Sequence, residues 1–345
     1  MGGTTKKGLL ERLAAGPVIC AEGYLFELER RGYLQAGAFV PEAVLEAPEA
    51  VKQLHREFLN AGTDIVEAFT YYAHREKLRL IGRENDLETI NRQAIKLARE
   101  VAAEGDALVA GNICNTNAYM PGDTATEKAV RAMFEEQIGW AVEGGVDLLI
   151  AETISFLGEA EIALDVMRQT GLPSVVTFAI HKNGKMRDGA TPARAARRME
   201  ELGADVVGLN CIRGPKTMMA HLRAIRGAVS CHVGALPVPF RTTRREPTFE
   251  SLTDPKRPDA PFPVALDPFT CTRHEIAEFT VEAMDMGVHY LGVCCGAGPH
   301  HIRAMAESLG RTPPASRYSP DMSKHYALGN DPGLKQSYRA YADDL

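Results

Sequence analysis

The sequence predicts a (β/α)8 barrel of the TIM type, with a long loop after strand 7 and a C-terminal tail. Short apolar runs rich in β-branched residues alternate with amphipathic segments along most of the chain, a pattern typical of repeated βα units. Eight apolar runs are present, and eight βα units close this type of barrel. The length of 345 residues also suits one barrel with insertions.

The individual elements follow from these patterns. Strands are predicted at Val18 to Cys20, Ile65 to Phe69, Ala107 to Ile113, Asp147 to Ala151, Ser174 to Phe178, Val206 to Asn210, His232 to Leu236 and Tyr290 to Cys294. Helices are predicted at Pro41 to Asn60, Leu87 to Ala103, Thr126 to Gly144, Ala193 to Leu202 and Arg273 to Met286. Gly62 and Gly203 follow two of these helices and suit the left-handed cap that ends a helix.

Two segments depart from the βα rhythm. The stretch from Pro237 to Pro268 is rich in Pro, Thr, Arg and Asp and has little apolar periodicity. It is predicted to be a long loop on the face that carries barrel active sites, as a lid, a substrate wall or an oligomer contact. A linker rich in Pro and Ser follows, so the barrel is assigned to residues 1–310 and a tail or oligomerisation arm to residues 311–345.

Composition argues against several classes of function. The net charge of −6, the pI near 6.0 and the absence of a basic cluster longer than Arg241 to Arg245 argue against nucleic-acid binding. No apolar run reaches the roughly 18 to 20 residues that span a bilayer, and the N-terminus lacks the apolar core of a signal peptide. A cytoplasmic protein that acts on small molecules is therefore expected. Seven cysteines, an odd number, favour reduced thiols over a disulfide framework.

Three of these cysteines are predicted to form a zinc site. Cys294 and Cys295 end the eighth strand, and Gly296 allows the chain to turn so that both sulfurs can face one point. Pro299 suits the first position of a helix, whose N-terminal partial charge favours thiolate over thiol. Cys211 ends the sixth strand in a similar way. Three thiolates are soft ligands suited to zinc, and they leave a fourth position open.

Other polar and aromatic side chains lie at or just past the carboxyl ends of strands, the positions that carry catalysis in this fold. These candidates are Glu22, Tyr71, Tyr72, Asn112, Asn115, Glu152 and Asn210. Glu152 closes an apolar run, where an acid is costly unless paired, so a ligand role is favoured over a buried ion pair. Asn210 could orient a metal ligand or bond only to backbone, and Glu22 could bind a ligand or cap the following helix. Four further cysteines are expected to be small buried hydrophobes, namely Cys20, Cys114, Cys231 and Cys271.

Several motifs resemble the homocysteine S-methyltransferase family, above all its betaine–homocysteine branch, over nearly the whole barrel. They are Lys7-Gly-Leu-Leu-Glu-Arg-Leu13, Phe26-Glu-Leu-Glu-Arg-Arg-Gly-Tyr33, Gln53-Leu-His-Arg-Glu-Phe58, Glu104-Gly-Asp-Ala-Leu-Val-Ala-Gly111, Leu149-Ile-Ala-Glu152, Gly208-Leu-Asn-Cys211 and Gly292-Val-Cys-Cys-Gly296. The resemblance implies that Cys211, Cys294 and Cys295 bind catalytic zinc. It further implies a direct methyl transfer from a small onium donor, such as a betaine, to a thiol such as homocysteine, giving methionine. A homo-oligomer is expected.

The sequence departs from the family pattern where homocysteine would bind. Ala21 stands where the family has an aspartate that helps bind the amino group, so the acid is missing or has moved to Glu22. The turn continues with Gly23 and Tyr24, which are included among the predicted substrate-binding residues. Glu152 matches the second ligand of the amino group and is retained.

The predicted donor pocket is also altered but remains aromatic. Phe39 takes the place of a tryptophan, and Tyr72 matches a donor-pocket tyrosine. A quaternary ammonium is commonly held against such aromatic faces. Tyr71 is a further candidate, although alternation along a strand would point only one of the two tyrosines toward the barrel mouth. Thr153 replaces a tyrosine of the betaine enzymes, and Ala68 a threonine.

Three alternatives to a betaine-dependent enzyme stay open. A sulfonium donor such as S-methylmethionine would use the same chemistry. A corrinoid-linked enzyme would use this barrel as one subunit, with the methyl carrier on another chain. A zinc- or thiol-binding protein without turnover is the non-enzymatic alternative, and the replacement of the aspartate by Ala21 keeps it open.

Overall fold

Eight parallel strands close into a barrel in which each strand pairs with the next and the last pairs with the first. The computed structural model describes residues 6–257, 259–340, 342 and 345. The strands are β1 Val18–Ala21, β2 Ile65–Glu67, β3 Leu108–Cys114, β4 Leu148–Ile154, β5 Ser174–Phe178, β6 Val206–Asn210, β7 His232–Leu236 and β8 Tyr290–Val293. The predicted (β/α)8 fold class is confirmed.

Helices surround the barrel. They are α1 Leu9–Ala15, α2 Tyr24–Arg30, α3 Ala43–Glu46, α4 Pro48–Ala61, α5 Arg75–Arg79, α6 Leu87–Ala102, α7 Thr124–Glu143, α8 Leu157–Arg168, α9 Pro192–Glu201, α10 Pro215–Arg226, α11 Arg273–Asp285, α12 Pro299–Ser308 and α13 Gln336–Arg339. The prediction of one helix from Pro41 to Asn60 is wrong, because the chain breaks at Ala47. Pro48 disfavours helical backbone at the residue before it and instead begins α4.

The barrel interior is apolar toward the amino ends of the strands, here called its lower part, and polar at their carboxyl ends. The lower part is one cluster that also includes Leu9 and Leu13 of α1, and its other members are Val18, Cys20, Ile65, Leu108, Ala110, Leu148, Ile150, Val175, Val206, Leu236 and Tyr290. Burial of each large apolar side chain stabilises the fold by about 1.5–3 kcal/mol. The lower cluster therefore provides a rigid base for the polar groups above it.

The two segments that break the βα rhythm both pack onto the barrel. The loop after β7 includes the short 3-10 helix Phe249–Ser251, with Phe249 buried. In the tail, the 3-10 helix Pro314–Tyr318 packs near α4 and α12, and Ser316 Oγ donates to Glu307 at 2.8 Å. The division at residue 310 and the role of an oligomerisation arm stay predictions. Within the described residues, no helix is long and apolar enough to cross a membrane.

Candidate active site

The three cysteines predicted to bind zinc come together at the ends of β6 and β8. The Sγ atoms of Cys211, Cys294 and Cys295 lie within 4.8 Å of one another, and all three side chains are buried. The turn after them requires glycine, because Gly296 has a φ of 92° and a Cβ there would lie 2.5 Å from Phe240 Cζ. The sequence prediction of this turn rests on the same property.

This sulfur cluster has the composition of an open zinc site. No histidine from the described part of the chain joins the three sulfurs. His301 is engaged elsewhere, since its Nδ1 accepts from the Gly298 N–H at 3.1 Å and its Nε2 lies 3.1 Å from the Cys271 carbonyl oxygen. Structural zinc sites normally have four protein ligands, whereas three ligands leave a position for substrate.

The electrostatics of the three thiols also fit a bound cation. Hydrogen bonds from the thiols of Cys294 and Cys295 hold the pKa of Cys211 well below its usual range. Burial raises the pKa of Cys294, and the hydrogen bond to Cys211 raises that of Cys295. Of the three thiols, Cys211 is therefore the one that loses its proton most readily. A divalent metal ion would deprotonate the remaining thiols.

Asn210 links the cysteines to a buried carboxylate. Its Nδ2 donates to Glu152 Oε2 at 2.7 Å and lies 3.9 Å from Cys294 Sγ. Its Oδ1 accepts from the backbone N–H of Thr153 at 2.8 Å. The bond to backbone that the sequence allowed for Asn210 is present, and its role in orienting a metal ligand stays a prediction.

Two more buried carboxylates lie beside Glu152. Asn112 Nδ2 donates to Glu152 Oε1 at 2.6 Å and also to Glu67. Burial raises the pKa of Glu22 and of Glu67 well above the usual range, with repulsion from Glu152 as the next cause. Burial also raises the pKa of Glu152 to about 8, with the charge of Cys211 as the next cause. A positive charge placed among these three carboxyls would favour their ionised form.

Glu22, rather than the side chain at position 21, faces this network. Cys20 belongs to the interior cluster, so alternation turns Ala21 toward the helices and Glu22 back toward the interior. Glu22 Oε2 lies 3.4 Å from Asn210 Nδ2, and neither oxygen bonds to the start of α2. Gly23 permits the close approach of α2, because a Cβ there would lie 2.3 Å from the Ala297 carbonyl oxygen.

Two pockets meet at the cysteines. The inner pocket has a volume of about 20 Å³ and is lined by Glu22, Glu67, Asn112, Glu152 and Cys294, among others. The outer pocket has a volume of about 170 Å³ and is lined by Phe26, Phe39, Tyr72, Phe249, Phe262 and Cys211, among others. Leu25, Tyr71 and Cys295 line both pockets. A molecule in either pocket can therefore reach the sulfur cluster.

The outer pocket is rich in aromatic rings. The ring centroids of Phe26 and Phe39 lie 5.7 Å apart, and those of Tyr71 and Tyr72 lie 4.3 Å apart. The expectation that only one tyrosine faces the mouth is wrong, because β2 ends at Glu67 and the tyrosines lie beyond it. Tyr24, by contrast, lines only the inner pocket.

The sequence prediction missed part of each pocket. Glu67 was not a candidate, although an acid inside the apolar run Ile65 to Phe69 was a usable signal. Phe249 and Phe262 come from the loop after β7, which therefore forms a wall of the outer pocket. Of the four cysteines expected to be buried, Cys231 is only half-buried.

Comparison with known proteins agrees with this arrangement. A sequence model described as homocysteine S-methyltransferase matches residues 19–309. The chain is 41% identical over 333 residues to betaine–homocysteine S-methyltransferase 1 of Danio rerio, covering 94% of this chain and 80% of that protein. It is 39% identical over 321 residues to an S-methylmethionine–homocysteine S-methyltransferase of Pongo abelii, covering 90% and 85%.

A solved structure supports the same fold. The homocysteine methyltransferase MmuM of Escherichia coli, in its metallated form, superimposes with a TM-score of 0.68 at 19% identity. The match covers 85% of this chain and 97% of that one, which supports the barrel architecture. Because the family model spans the barrel and relatives near 40% identity cover most of the chain, the protein belongs to the homocysteine S-methyltransferase family.

Proposed function

We propose that the protein transfers a methyl group directly from a small onium donor to the thiol of homocysteine, with zinc held by Cys211, Cys294 and Cys295. The observation that carries this proposal is the meeting of two chemically different pockets at the sulfur cluster. The inner pocket is acidic, and the outer pocket is aromatic. Cys295 lines both, so a thiol in one pocket and a methyl donor in the other would approach each other there.

The cysteines and carboxylates would bind the acceptor. Bound zinc would keep the acceptor thiol deprotonated at neutral pH, at which a free alkyl thiol with a pKa near 8.5 is mostly protonated. Glu152 and Glu22 would hold the amino group of homocysteine, since both carboxylates are buried beside the sulfurs. Asn210 would fix the carboxylate of Glu152 through its 2.7 Å hydrogen bond.

The outer pocket would bind the donor. Rings such as Phe39 and Tyr72 can face a quaternary ammonium, and each contact is worth roughly 0.5 to 2 kcal/mol. The thiolate sulfur would attack the methyl carbon in line with the bond to nitrogen. A carbon–sulfur bond forms, the carbon–nitrogen bond breaks with its electron pair going to nitrogen, and a neutral tertiary amine leaves without needing a proton.

A sulfonium donor is the second candidate. One relative at 39% identity is named for S-methylmethionine, and a sulfonium would leave as a neutral thioether by the same displacement. The predicted homo-oligomer and cytoplasmic location also remain proposals.

The test is a methyl-transfer assay with the zinc-loaded protein, homocysteine and a methyl-labelled donor, either glycine betaine or S-methylmethionine. Labelled methionine formed without any corrinoid protein would support direct transfer. Turnover that appears only after a methylated corrinoid protein is added would refute it, and no turnover under either condition would favour a binding protein. The control is Cys231→Ser, which removes a half-buried thiol outside both pockets and should keep activity.

A further inference from the structure

Three hydrogen-bond acceptors in the inner pocket have no donor. They are Glu22 Oε1, Glu67 Oε2 and Asn112 Oδ1, on side chains that are 6%, 2% and 4% exposed. Asn112 Nδ2 faces the carboxyl oxygens of Glu67 and Glu152, which in their ionised form can only accept, so this orientation of the amide fits the charged state of the site. A buried acceptor without a donor destabilises the structure, because it has lost its hydrogen bonds to water and gained none in the protein. Three such atoms around one space indicate that a ligand with several donors belongs there.

The size and charge of the inner pocket define this ligand group. A volume of about 20 Å³ admits a group of the size of a water molecule or an ammonium. One oxygen each of Glu22 and Glu67 lie within 4.8 Å of each other. The described residues that line the pocket include no lysine, arginine or histidine. A primary ammonium brings one positive charge and three N–H donors, whereas a quaternary ammonium or a sulfonium brings no N–H.

We infer that Glu67 and Asn112, together with Glu22, bind the primary ammonium group of the thiol acceptor and thereby determine acceptor specificity. This inference rests on the proposed function, because it requires the thiol of the same molecule to reach the cysteines. Glu67 pairs with Ala110 of β3, whereas Glu152 pairs with Cys114, which is nearer the carboxyl end of the same strand. Glu67 therefore lies deeper in the barrel than Glu152. The deeper acid supplies charge that the position of Ala21 lacks.

The same pocket predicts which part of the acceptor is bound without an ion pair. With no cationic side chain among its described lining residues, the inner pocket offers no ion pair to a carboxylate. The acceptor class is therefore a small thiol with a primary amine, of which homocysteine is one member. Removal of the carboxylate should cost less affinity than removal of the amine.

Three thiols that differ by one group test this inference on the cobalt-substituted protein, through the thiolate-to-cobalt absorption band. Homocysteine has both groups, 3-mercaptopropylamine lacks the carboxylate, and 4-mercaptobutyrate lacks the amine. We expect the two amines to bind within about tenfold of each other. Both should bind at least about tenfold more tightly than 4-mercaptobutyrate, because a hydrogen-bonded charge is lost only in the last case.

The decisive variant is Glu67→Gln, which removes the charge and keeps the shape. It should weaken binding of both amines by roughly ten- to a hundredfold and leave 4-mercaptobutyrate binding unchanged. Glu22→Gln should show the same pattern and serves if the first variant does not fold. The control is Glu159→Gln, since Glu159 is a buried carboxylate outside the pocket that accepts from Thr116 at 2.8 and 2.6 Å.

The outcomes separate this inference from the proposed function. If homocysteine affinity is the same in the wild type and both variants while thiols still perturb the cobalt band, the ammonium site is refuted and the proposed function stands. If no thiol perturbs the band, both are refuted. If Glu67→Gln loses a metal ion additional to the one at the cysteines, the pocket is a second metal site and the inference is overturned.

Discussion

The positive charge of Lys77 lies beside Tyr72, a lining residue of the outer pocket, and its removal should strengthen the binding of an onium donor. Lys77 Nζ lies 4.0 Å from the centroid of the Tyr72 ring and 3.4 Å from the Ala38 carbonyl oxygen, to which it donates. Burial lowers the pKa of Lys77. The substitution Lys77→Met removes this charge while preserving most of the length of the side chain.

The size of the effect follows from the geometry. A donor on the opposite face of Tyr72, at a similar distance from the ring, would place two positive charges about 8 Å apart. Their repulsion is about 2 kcal/mol at an effective dielectric constant near 20, or about thirtyfold in affinity. Lys77 is only half-buried, so screening by solvent reduces the gain to roughly three- to thirtyfold. A donor on the same face would compete with Lys77 directly, which gives the same sign.

Calorimetric titration of the zinc-loaded protein with tetramethylammonium measures this effect, since that cation has no carboxylate. Lys77→Met should lower its Kd, and Lys96→Met, on the exposed side of α6, should not change it. An unchanged or higher Kd in Lys77→Met would refute the placement of the donor at Tyr72. Weaker binding of glycine betaine together with tighter binding of tetramethylammonium would show that Lys77 pairs with the donor carboxylate.

The zinc site, its turn and a buried histidine give three more predictions. Cys294→Ser should lose the one zinc per chain measured by atomic emission, because one of three thiolates is gone, and equal zinc in variant and wild type would contradict the assignment. Gly296→Ala should lower zinc affinity in a chelator competition, since its Cβ would lie 2.5 Å from Phe240. Burial lowers the pKa of His55 to about 3, whereas a histidine in the unfolded chain has a pKa near 6.5. Between these two pH values the side chain is protonated in the unfolded state and neutral in the folded state. Stability should therefore fall by several kcal/mol as pH drops through this window, and urea unfolding of His55→Leu should lack that part of the decline.

The regular part of the fold could be predicted because its signal is local. The strands at Ser174–Phe178, Val206–Asn210 and His232–Leu236 begin and end at the predicted residues, since each is a short apolar run buried on both sides. The helix predicted from Pro41 failed because apolar periodicity continues across Ala47 while Pro48 interrupts the backbone.

The candidate site could be predicted only where the strands themselves bring residues together. Cys211, Cys294 and Glu152 all end or follow apolar runs, so the barrel places them on one face. Phe249 and Phe262 reach the outer pocket through a loop, and the path of a loop is not encoded in apolar periodicity. Whether a carboxylate oxygen of Glu22 or Glu67 lacks a hydrogen-bond donor depends on side-chain geometry, which the sequence pattern does not specify.

Backbone strain explains how the outer pocket keeps its shape. Among the described residues, those other than glycine with positive φ are Phe39, Tyr72, Asn117, Thr153, Cys211 and Ile212, and all of them line the outer pocket. Each such conformation costs on the order of 1–3 kcal/mol, so packing of the barrel must hold them in place. Relaxation of any one would swing its side chain away from the pocket. Cys211 and Ile212 are adjacent, so the backbone that places a predicted zinc ligand also shapes the predicted donor wall, and a substitution that relaxes it should weaken zinc and donor binding together.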